Sequence, residues 1–274
     1  MTRMDTILAI DVGGSGAKLQ RYDSRLGTRG EMVRYDQPDW ERFDSWLASK
    51  LDFAPSLIGV SSAGFVDREE GVVRLARVAG WVDRPLVRQL EARFPGSRVA
   101  VVNDAEAHLL AHLDQYPAPM LCLALGTSPA LAVSLPEVPV LRPRSGLNFD
   151  IGSMRLETRA TNKEAWWALG TKGLRELQAK MGELPGTLHF GHRLGSLLAN
   201  LAILFFPERI VVSGGIVERW WREMEVGVLE ELTQRFPSFG ASKELPQCPK
   251  LIASPHGASA ALRGAALAAL GLKK

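Results

Sequence analysis

The stretch Ile7-Leu-Ala-Ile-Asp-Val-Gly-Gly-Ser-Gly-Ala-Lys-Leu-Gln20 constrains the fold more than any other part of the chain. An apolar run over residues 7–10 carries Asp11 to a turn containing Gly13, Gly14 and Gly16. A second strand pattern follows over 17–22 and a third near 32–35, so the chain opens as a β-meander with glycine at its first turn. The same grammar restarts at 121–125 and 130–135, which flank a turn bearing Gly126, Thr127 and Ser128. Two halves that each begin strand, glycine turn, strand point to a duplicated fold. Between them the pattern alternates: helix 40–51, strand 57–61, helix 85–94, strand 98–102, helix 105–113, which implies an α/β sheet covered on both faces. Two prolines at 117 and 119 separate the halves, and a loop rich in Pro, Arg and Gly runs over 136–153. Helices are then expected at 163–181 and 188–206, a strand at 209–213, a helix at 217–235, a short strand at 251–253 and an Ala-rich helix at 258–270. The organisation that follows is an N-terminal α/β domain over 1–116, a C-terminal α/β domain over 117–256, and a final helix in 257–274 packing back on the first.

A chain of 274 residues with 46% hydrophobic content has enough apolar material for a real core. Its 33 basic and 30 acidic side chains are interspersed, which describes a solvated surface and argues against a nucleic-acid partner. Cys122 sits in an apolar run and Cys248 in a Pro-flanked loop, so neither a disulfide framework nor a cysteine zinc site is indicated. The N-terminal apolar run is too short for a signal peptide and no run reaches about eighteen residues, so a cytoplasmic protein without a membrane partner is the expectation.

Four segments carry chemistry. In the first, glycines let backbone amides approach a phosphate closely, and Ser15 adds a hydroxyl. Asp11 beside such a cradle is repulsive unless a cation intervenes, which suggests Mg²⁺ held through water; the alternative is an ordinary glycine hairpin. The spacing is neither that of a Walker loop nor of a dinucleotide fingerprint. In the second, the strand 98–102 ends on Asn103-Asp104 at the start of a helix. A carboxylate there faces the crevice where open α/β sheets bind ligands, but either residue also makes an ordinary helix cap. The third is the Gly126-Thr127-Ser128 turn. The fourth, Pro207-Glu-Arg-Ile-Val-Val-Ser-Gly-Gly215, ends a strand at a helix N-terminus whose amides can meet a nucleotide.

Taken in order, Asp11-Val-Gly-Gly-Ser-Gly16, Ser62-Ala-Gly64, Ala79-Gly-Trp81, Asn103-Asp104, Gly126-Thr127 and the segment ending Gly214-Gly215 resemble the ROK family, whose name joins repressors, open reading frames and kinases. The resemblance runs from about residue 7 to residue 264. It implies an α/β protein of two actin-like, ribonuclease H-like domains, with ATP and a sugar in the cleft between them, and a homodimer is common in such a family. By residue match, Asp11, Gly13, Gly14, Ser15, Gly16 and Lys18 would face the ATP phosphates and magnesium, and Gly126-Thr127 would form a second phosphate loop. Gly214 and Gly215 would lie against the adenosine. Gly64 and Asn103 would contact the sugar, and Asp104 would accept the proton of the attacking hydroxyl. Phosphoryl transfer asks mainly for positioning, Mg²⁺ and a carboxylate near the nucleophile, so the chemistry agrees.

The chain departs from the family in four places. The Glu-x-Gly-His of such proteins reads Asp150-Ile-Gly-Ser153, which keeps a shorter carboxylate and loses the imidazole. No cysteine or histidine follows in Thr158-Arg-Ala-Thr-Asn-Lys-Glu-Ala-Trp-Trp167, so no zinc is expected; Glu157 and Glu164 are candidates for a further acidic sugar ligand. Arg77 stands where a sugar-binding Asn is usual, and it either favours an anionic or strongly polar substrate or points to solvent. Pro129 and Leu131 replace glycines after Gly126-Thr127, so ATP is held more loosely or the phosphoryl donor differs, polyphosphate being one such donor with Arg142 and Arg144 to help bind it. His108 and His112 lie four apart but lack further ligands. Trp166-Trp167 and Trp220-Trp221 read as packing, and His189 and His192 as structural groups. The leading expectation is an ATP- and Mg²⁺-dependent kinase for a hexose, hexosamine or related sugar. The alternative is a sugar-binding regulatory protein with weak or lost catalysis. A DNA-binding repressor is disfavoured because the sequence starts directly at the first glycine-turn strand.

Overall fold

A computed structural model describes residues 6–14, 16–36, 40–51, 53–75, 82–143, 148–158, 161–237 and 245–271. The chain divides into two compact units. The first contains residues 1–112, 142–148 and 259–274, and the second 113–141 and 149–258.

In the first unit the elements are β1 (Thr6–Gly13), β2 (Gly16–Asp23), β3 (Thr28–Tyr35), α1 (Trp40–Lys50), β4 (Leu57–Ser62), β5 (Phe65–Asp67), β6 (Val72–Leu75), α2 (Leu86–Arg93), β7 (Arg98–Asn103) and α3 (Asp104–Leu110). Five strands form a sheet in the order β3-β2-β1-β4-β7. The β1 to β2 and β2 to β3 pairs are antiparallel, whereas β4 and β7 continue parallel to β1. Alternation along β1 explains why it reads as unbroken apolar sequence. Leu8, Ile10 and Val12 enter one core with Phe43, Leu47, Leu86 and Leu90, while Ile7 and Ala9 enter another on the opposite face. A strand buried on both faces has no solvent side to mark with polar residues.

In the second unit come β8 (Met120–Leu125), β9 (Pro129–Leu135), β10 (Val138–Leu141), β11 (Arg155–Thr158), β12 (Thr161–Glu164), α4 (Ala165–Ala168), α5 (Thr171–Met181), α6 (Glu183–Phe205), β13 (Arg209–Ser213), α7 (Gly215–Arg235) and β14 (Lys250–Ala253). Its sheet runs β10-β9-β8-β13-β14, antiparallel on the β9 side and parallel on the β13 side. This is the connectivity of the first sheet repeated, so the α/β duplication read from the two glycine turns is real at the level of topology. Leu121, Leu123, Leu125, Ile210 and Val212 join Phe190, Leu194, Leu198 and Val228 in its core. Sequence periodicity misplaced some boundaries here. The helix expected over 163–181 is the end of β12, the single turn α4 and then α5, and α6 starts five residues before the expected 188. Pro185 is tolerated because the first helical turn has no intrahelical N–H to lose. Strand β10 falls within the expected loop at 136–153, and the β5 to β6 hairpin was not expected.

The last helix, α8 (Ala260–Gly271), belongs to the first unit and packs on β1, β4 and α3. Its run of Ala and Gly has a steric cause. A Cβ on Gly59 of β4 would come within 1.9 Å of the Ala265 carbonyl oxygen, and one on Gly264 within 1.7 Å of that of Ala107. Helix and sheet therefore meet backbone to backbone. Gly264→Ala gains up to about 1 kcal/mol of helix propensity but must push α3 and α8 apart, so a net loss of about 2 kcal/mol is expected. Gly126→Ala, where an added Cβ meets nothing within 4 Å, should be near neutral in stability. Chemical denaturation of the two variants measures the contrast.

Candidate active site

The register of the first sheet gathers the expected catalytic residues at the carboxyl ends of its parallel strands. Asp11 on β1 lies beside Ser61 on β4, and Ser62 beside Asn103 on β7. The Asp11 carboxylate is buried at 9% exposure and accepts a 2.9 Å hydrogen bond from the Ser61 hydroxyl at Oδ1. Its other oxygen faces Lys18 Nζ at 3.5 Å, because Lys18 pairs with Asp11 across the β1 to β2 hairpin. Ser61 was not anticipated, although a serine ending a fully apolar strand is the kind of signal that marks a ligand edge.

Asn103 is the N-cap of α3. Its Oδ1 accepts from the Ala105 N–H at 2.9 Å and its Nδ2 donates to the Gly64 carbonyl oxygen at 2.8 Å. The amide thus satisfies a free helix N–H and fastens Gly64, which adopts φ +102°. Because Asn103 makes the cap, Asp104 sits at the first helical position with a carboxyl that is only half-buried. Burial is the main cause that raises the Asp104 pKa to about 7, and the charge of Asp11 adds to it; the Ala105 N–H and the Asn103 side chain oppose the rise. His108, four residues on, is lowered to about 3 by burial first and then by His112 and Lys18, so it is neutral under ordinary conditions. Among the described residues no group of three or more His, Cys, Asp or Glu is placed to hold a metal ion. A water-bridged Mg²⁺ needs fewer protein ligands. Asp11 fits that manner of binding, since among the described residues Oδ2 has only the long Lys18 contact against it.

The glycines of the first turn differ in role. Gly13 pairs with Gly16 to close the hairpin, and a Cβ on Gly13 would have room. Gly16, at φ +144°, is required by packing, since a Cβ there would approach the Tyr35 carbonyl oxygen to 2.4 Å. Gly14 is exposed at the turn. Ser15, Arg77, Gly80, Trp81 and Arg144 lie outside the described residues, as does the side chain of Glu157.

In the second unit, three loops converge on one turn. Thr171, at the start of α5, donates both its N–H and its hydroxyl to the Gly126 carbonyl oxygen, each at 3.0 Å. Gly170 is needed because its Cβ would lie 2.2 Å from the Thr127 carbonyl oxygen. Gly214, at φ +99°, packs against Leu125, whereas Gly215 opens α7 and faces empty space. Among the described residues no side chain caps α7, which leaves its first amides for a ligand. Asp150 and Ser153 flank a short 3₁₀ turn, and the Ser153 hydroxyl donates to Asp150 Oδ2 at 2.6 Å; both residues are exposed. A Cβ on the intervening Gly152 would come 2.8 Å from the Ser128 hydroxyl, so this turn lies directly against Ser128. Leu131 does not obstruct the glycine turn, as its side chain is in the core of the unit opposite Leu123. Pro129 alone alters the turn, by removing one N–H. Thr171 escaped notice because the expected long helix over 163–181 concealed its N-terminus.

The raised Asp104 pKa predicts a specific pH dependence of stability. Between the unfolded value of 3.8 and about 7 the unfolded chain is ionised at this position and the folded chain is not. Stability from this group therefore falls as pH rises through that window, and the cost is complete above it. Asp104→Asn removes the cost. Allowing for the solvent-facing part of the carboxyl, its stability gain should be larger at pH 8 than at pH 5 by about 1 to 2 kcal/mol in denaturation experiments.

No family model matches the sequence. The N-acetyl-D-glucosamine kinase of Vibrio atlanticus is 25% identical in an alignment covering 93% of this chain and 97% of that protein. The enzyme of the same name from Histophilus somni is 25% identical over 168 residues, 57% of this chain and 54% of that protein. Among solved structures, a ROK family glucokinase from Streptomyces griseus in complex with glucose and AMPPNP superimposes with a TM-score of 0.72 at 21% identity, covering 95% of this chain and 98% of that one. The likeness seen in the order of short motifs extends to the whole architecture, and the chain has the fold of the ROK family sugar kinases.

Proposed function

We propose that this protein is a carbohydrate kinase that transfers a phosphoryl group from ATP to a sugar hydroxyl, with Asp104 as the general base. The observation that carries the reading is the Asp104 carboxyl: the cap made by Asn103 leaves it at the head of α3, and burial and Asp11 tune its pKa to about 7. A base poised near the working pH is strong enough to take a hydroxyl proton and still ionised in a useful fraction. The names of the N-acetyl-D-glucosamine kinases and of the glucokinase support a sugar acceptor and a nucleotide donor. An N-acetylhexosamine or a hexose is the substrate class to test first.

The chain's own residues perform the remaining tasks. Asp11 would hold Mg²⁺ through water, and the ion would neutralise phosphate charge. Lys18 lies beside Asp11 and adds a cation. Thr127 and the free amides of α7 would receive phosphate and nucleoside, while Asp150 and Ser153 present a carboxylate and a hydroxyl to polar groups of the sugar. Asn103 acts by fixing Gly64 and the helix start, since both ends of its amide are already engaged. The protein is proposed to act in the cytoplasm as a homodimer. Pro129, which leaves the second phosphate turn one N–H short, favours a second reading in which ATP is a poor donor, with polyphosphate as donor or a sugar-sensing role in its place.

Purified protein with ATP and Mg²⁺ should release ADP in the presence of at least one member of a hexose and N-acetylhexosamine panel; silence across the panel, with sugar binding retained, would favour the regulatory reading. Asp104→Asn should lower kcat by about a thousandfold with sugar binding preserved. The acid limb of kcat/KM should turn near pH 7. In Asp11→Asn it should shift to lower pH, because the negative charge that raises the Asp104 pKa is gone.

A further inference from the structure

The side chain two residues beyond Asp104 is an acidic group that the mechanism does not use. Glu106 lies on α3, is buried at 6% exposure, and accepts from two arginines on different parts of the chain. Arg68 Nη1 donates to its Oε1 at 2.7 Å. Arg142 embraces the same carboxylate with two nitrogens, Nε to Oε2 at 3.2 Å and Nη2 to Oε1. A buried carboxylate taking three charge-assisted bonds is rigid, and rigidity at that point is inherited by whatever the arginines carry.

What they carry is specific. Arg68 sits at the turn of the β5 to β6 hairpin, which begins at Phe65, immediately after Gly64. That hairpin is braced internally, since the Asp67 carboxylate accepts from the Glu70 N–H at 3.1 Å and from Arg74 at 3.4 Å. It is therefore fixed at its base by Asn103 on Gly64 and at its tip by Glu106 on Arg68. Arg142 opens the segment 142–148, which belongs to the first unit although the chain on either side of it belongs to the second. Helix α3 thus starts with Asp104 and, half a turn later, grips Arg68 on the hairpin adjoining Gly64 together with Arg142.

We propose that Glu106 is a positioning residue for the acceptor site: it fixes, through Arg68, the hairpin adjoining Gly64 and, through Arg142, a second segment of the same unit, in register with the base on its own helix. This rests on the kinase reading for its consequences but not for its geometry. A single carboxylate serving both arms makes sugar recognition depend on α3, and so on the same element that orients Asp104. Thr127 and the first amides of α7, proposed to receive phosphate and nucleoside, lie in the second unit.

The test uses Glu106→Gln, Glu106→Asp, Arg68→Ala and Arg142→Ala in the full-length protein, with the sugar and ATP that give activity. Glu106→Gln should raise the sugar KM and lower kcat/KM for sugar by about ten- to a hundredfold, while the KM for ATP changes less than about twofold. Glu106→Asp should recover part of the loss, and adding Arg142→Ala to Glu106→Gln should cost little more than Glu106→Gln alone. Hydrogen exchange on the same proteins should rise in the peptides containing Arg68 and Arg142 and not in the peptide containing Gly126. Parallel loss of sugar and ATP kinetics, or a lowered melting temperature with the sugar KM unchanged, overturns the proposal. If Glu106→Gln does not fold, the two arginine variants, each about a third exposed, carry the same comparison. Should the wild-type protein phosphorylate none of the sugars, the kinase reading fails separately. The exchange measurement then decides the inference: unchanged exchange at both arginine peptides in Glu106→Gln ends it, and faster exchange at both sustains the clamp.

Discussion

The cap that Asn103 places on α3 is the interaction on which the candidate chemistry of this protein depends. A helix beginning at the end of a parallel strand has free N–H groups aimed at the ligand edge of the sheet, and some acceptor must satisfy them. The Ala105 N–H is shared, at 2.9 Å each, between Asn103 Oδ1 and the Oδ1 of Asp104. Asn103 also uses Nδ2 to hold the Gly64 carbonyl, so one neutral side chain helps to close the helix and sets the neighbouring loop. The bonds that Asp104 receives at the helix start favour its charged form. The burial that surrounds it and the nearby Asp11 then raise its pKa to about 7.

Around that point, α3 works as a distribution bar. Its first residue is the proposed base, its third grips two arginine-bearing segments, and its fourth, Ala107, is pressed against Gly264 of α8 so closely that no side chain fits between. Small residues on α8 follow from this, because α3 and β4 both touch that helix through backbone atoms. The proposed acceptor chemistry is thus mounted on a closely packed face of the first unit. In the second unit, Thr171, Gly170 and Gly214 hold the Gly126 turn, and the positions left open are Gly126 and Gly215. Glycine serves two ends here: where a Cβ would strike backbone it allows packing, and where a Cβ would meet nothing it leaves space for a ligand.

Much of this was legible in the residues. The two strand, glycine turn, strand segments announced the duplicated sheet, because antiparallel hairpins and buried parallel strands leave strong local marks: turn glycines, unbroken apolar runs, and polar residues where a strand ends. Asp11, Asn103 and Asp104 could be named for the same reason. The helix expected over 163–181 hid a break, because the strand Thr161–Glu164 ends only two residues into it and passes directly into the single turn Ala165–Ala168 before α5. The early start of α6 was hidden by Pro185, a residue that punctuates most helices but is harmless in a first turn.

The sequence by itself determined the α/β class, the strand, glycine turn, strand opening of each half and the identity of the carboxylates offered for chemistry, since these are written in local periodicity and in what ends each strand. Only the tertiary structure decided which neighbour each polar group serves. It gave the helix cap to Asn103 rather than Asp104, placed Leu131 in the core instead of the phosphate turn, and brought Arg68 and Arg142, 74 positions apart, onto one buried carboxylate. Such partnerships depend on distances across the fold and on the cost of leaving a buried charge unpaired, and neither is a property of any stretch of chain read alone.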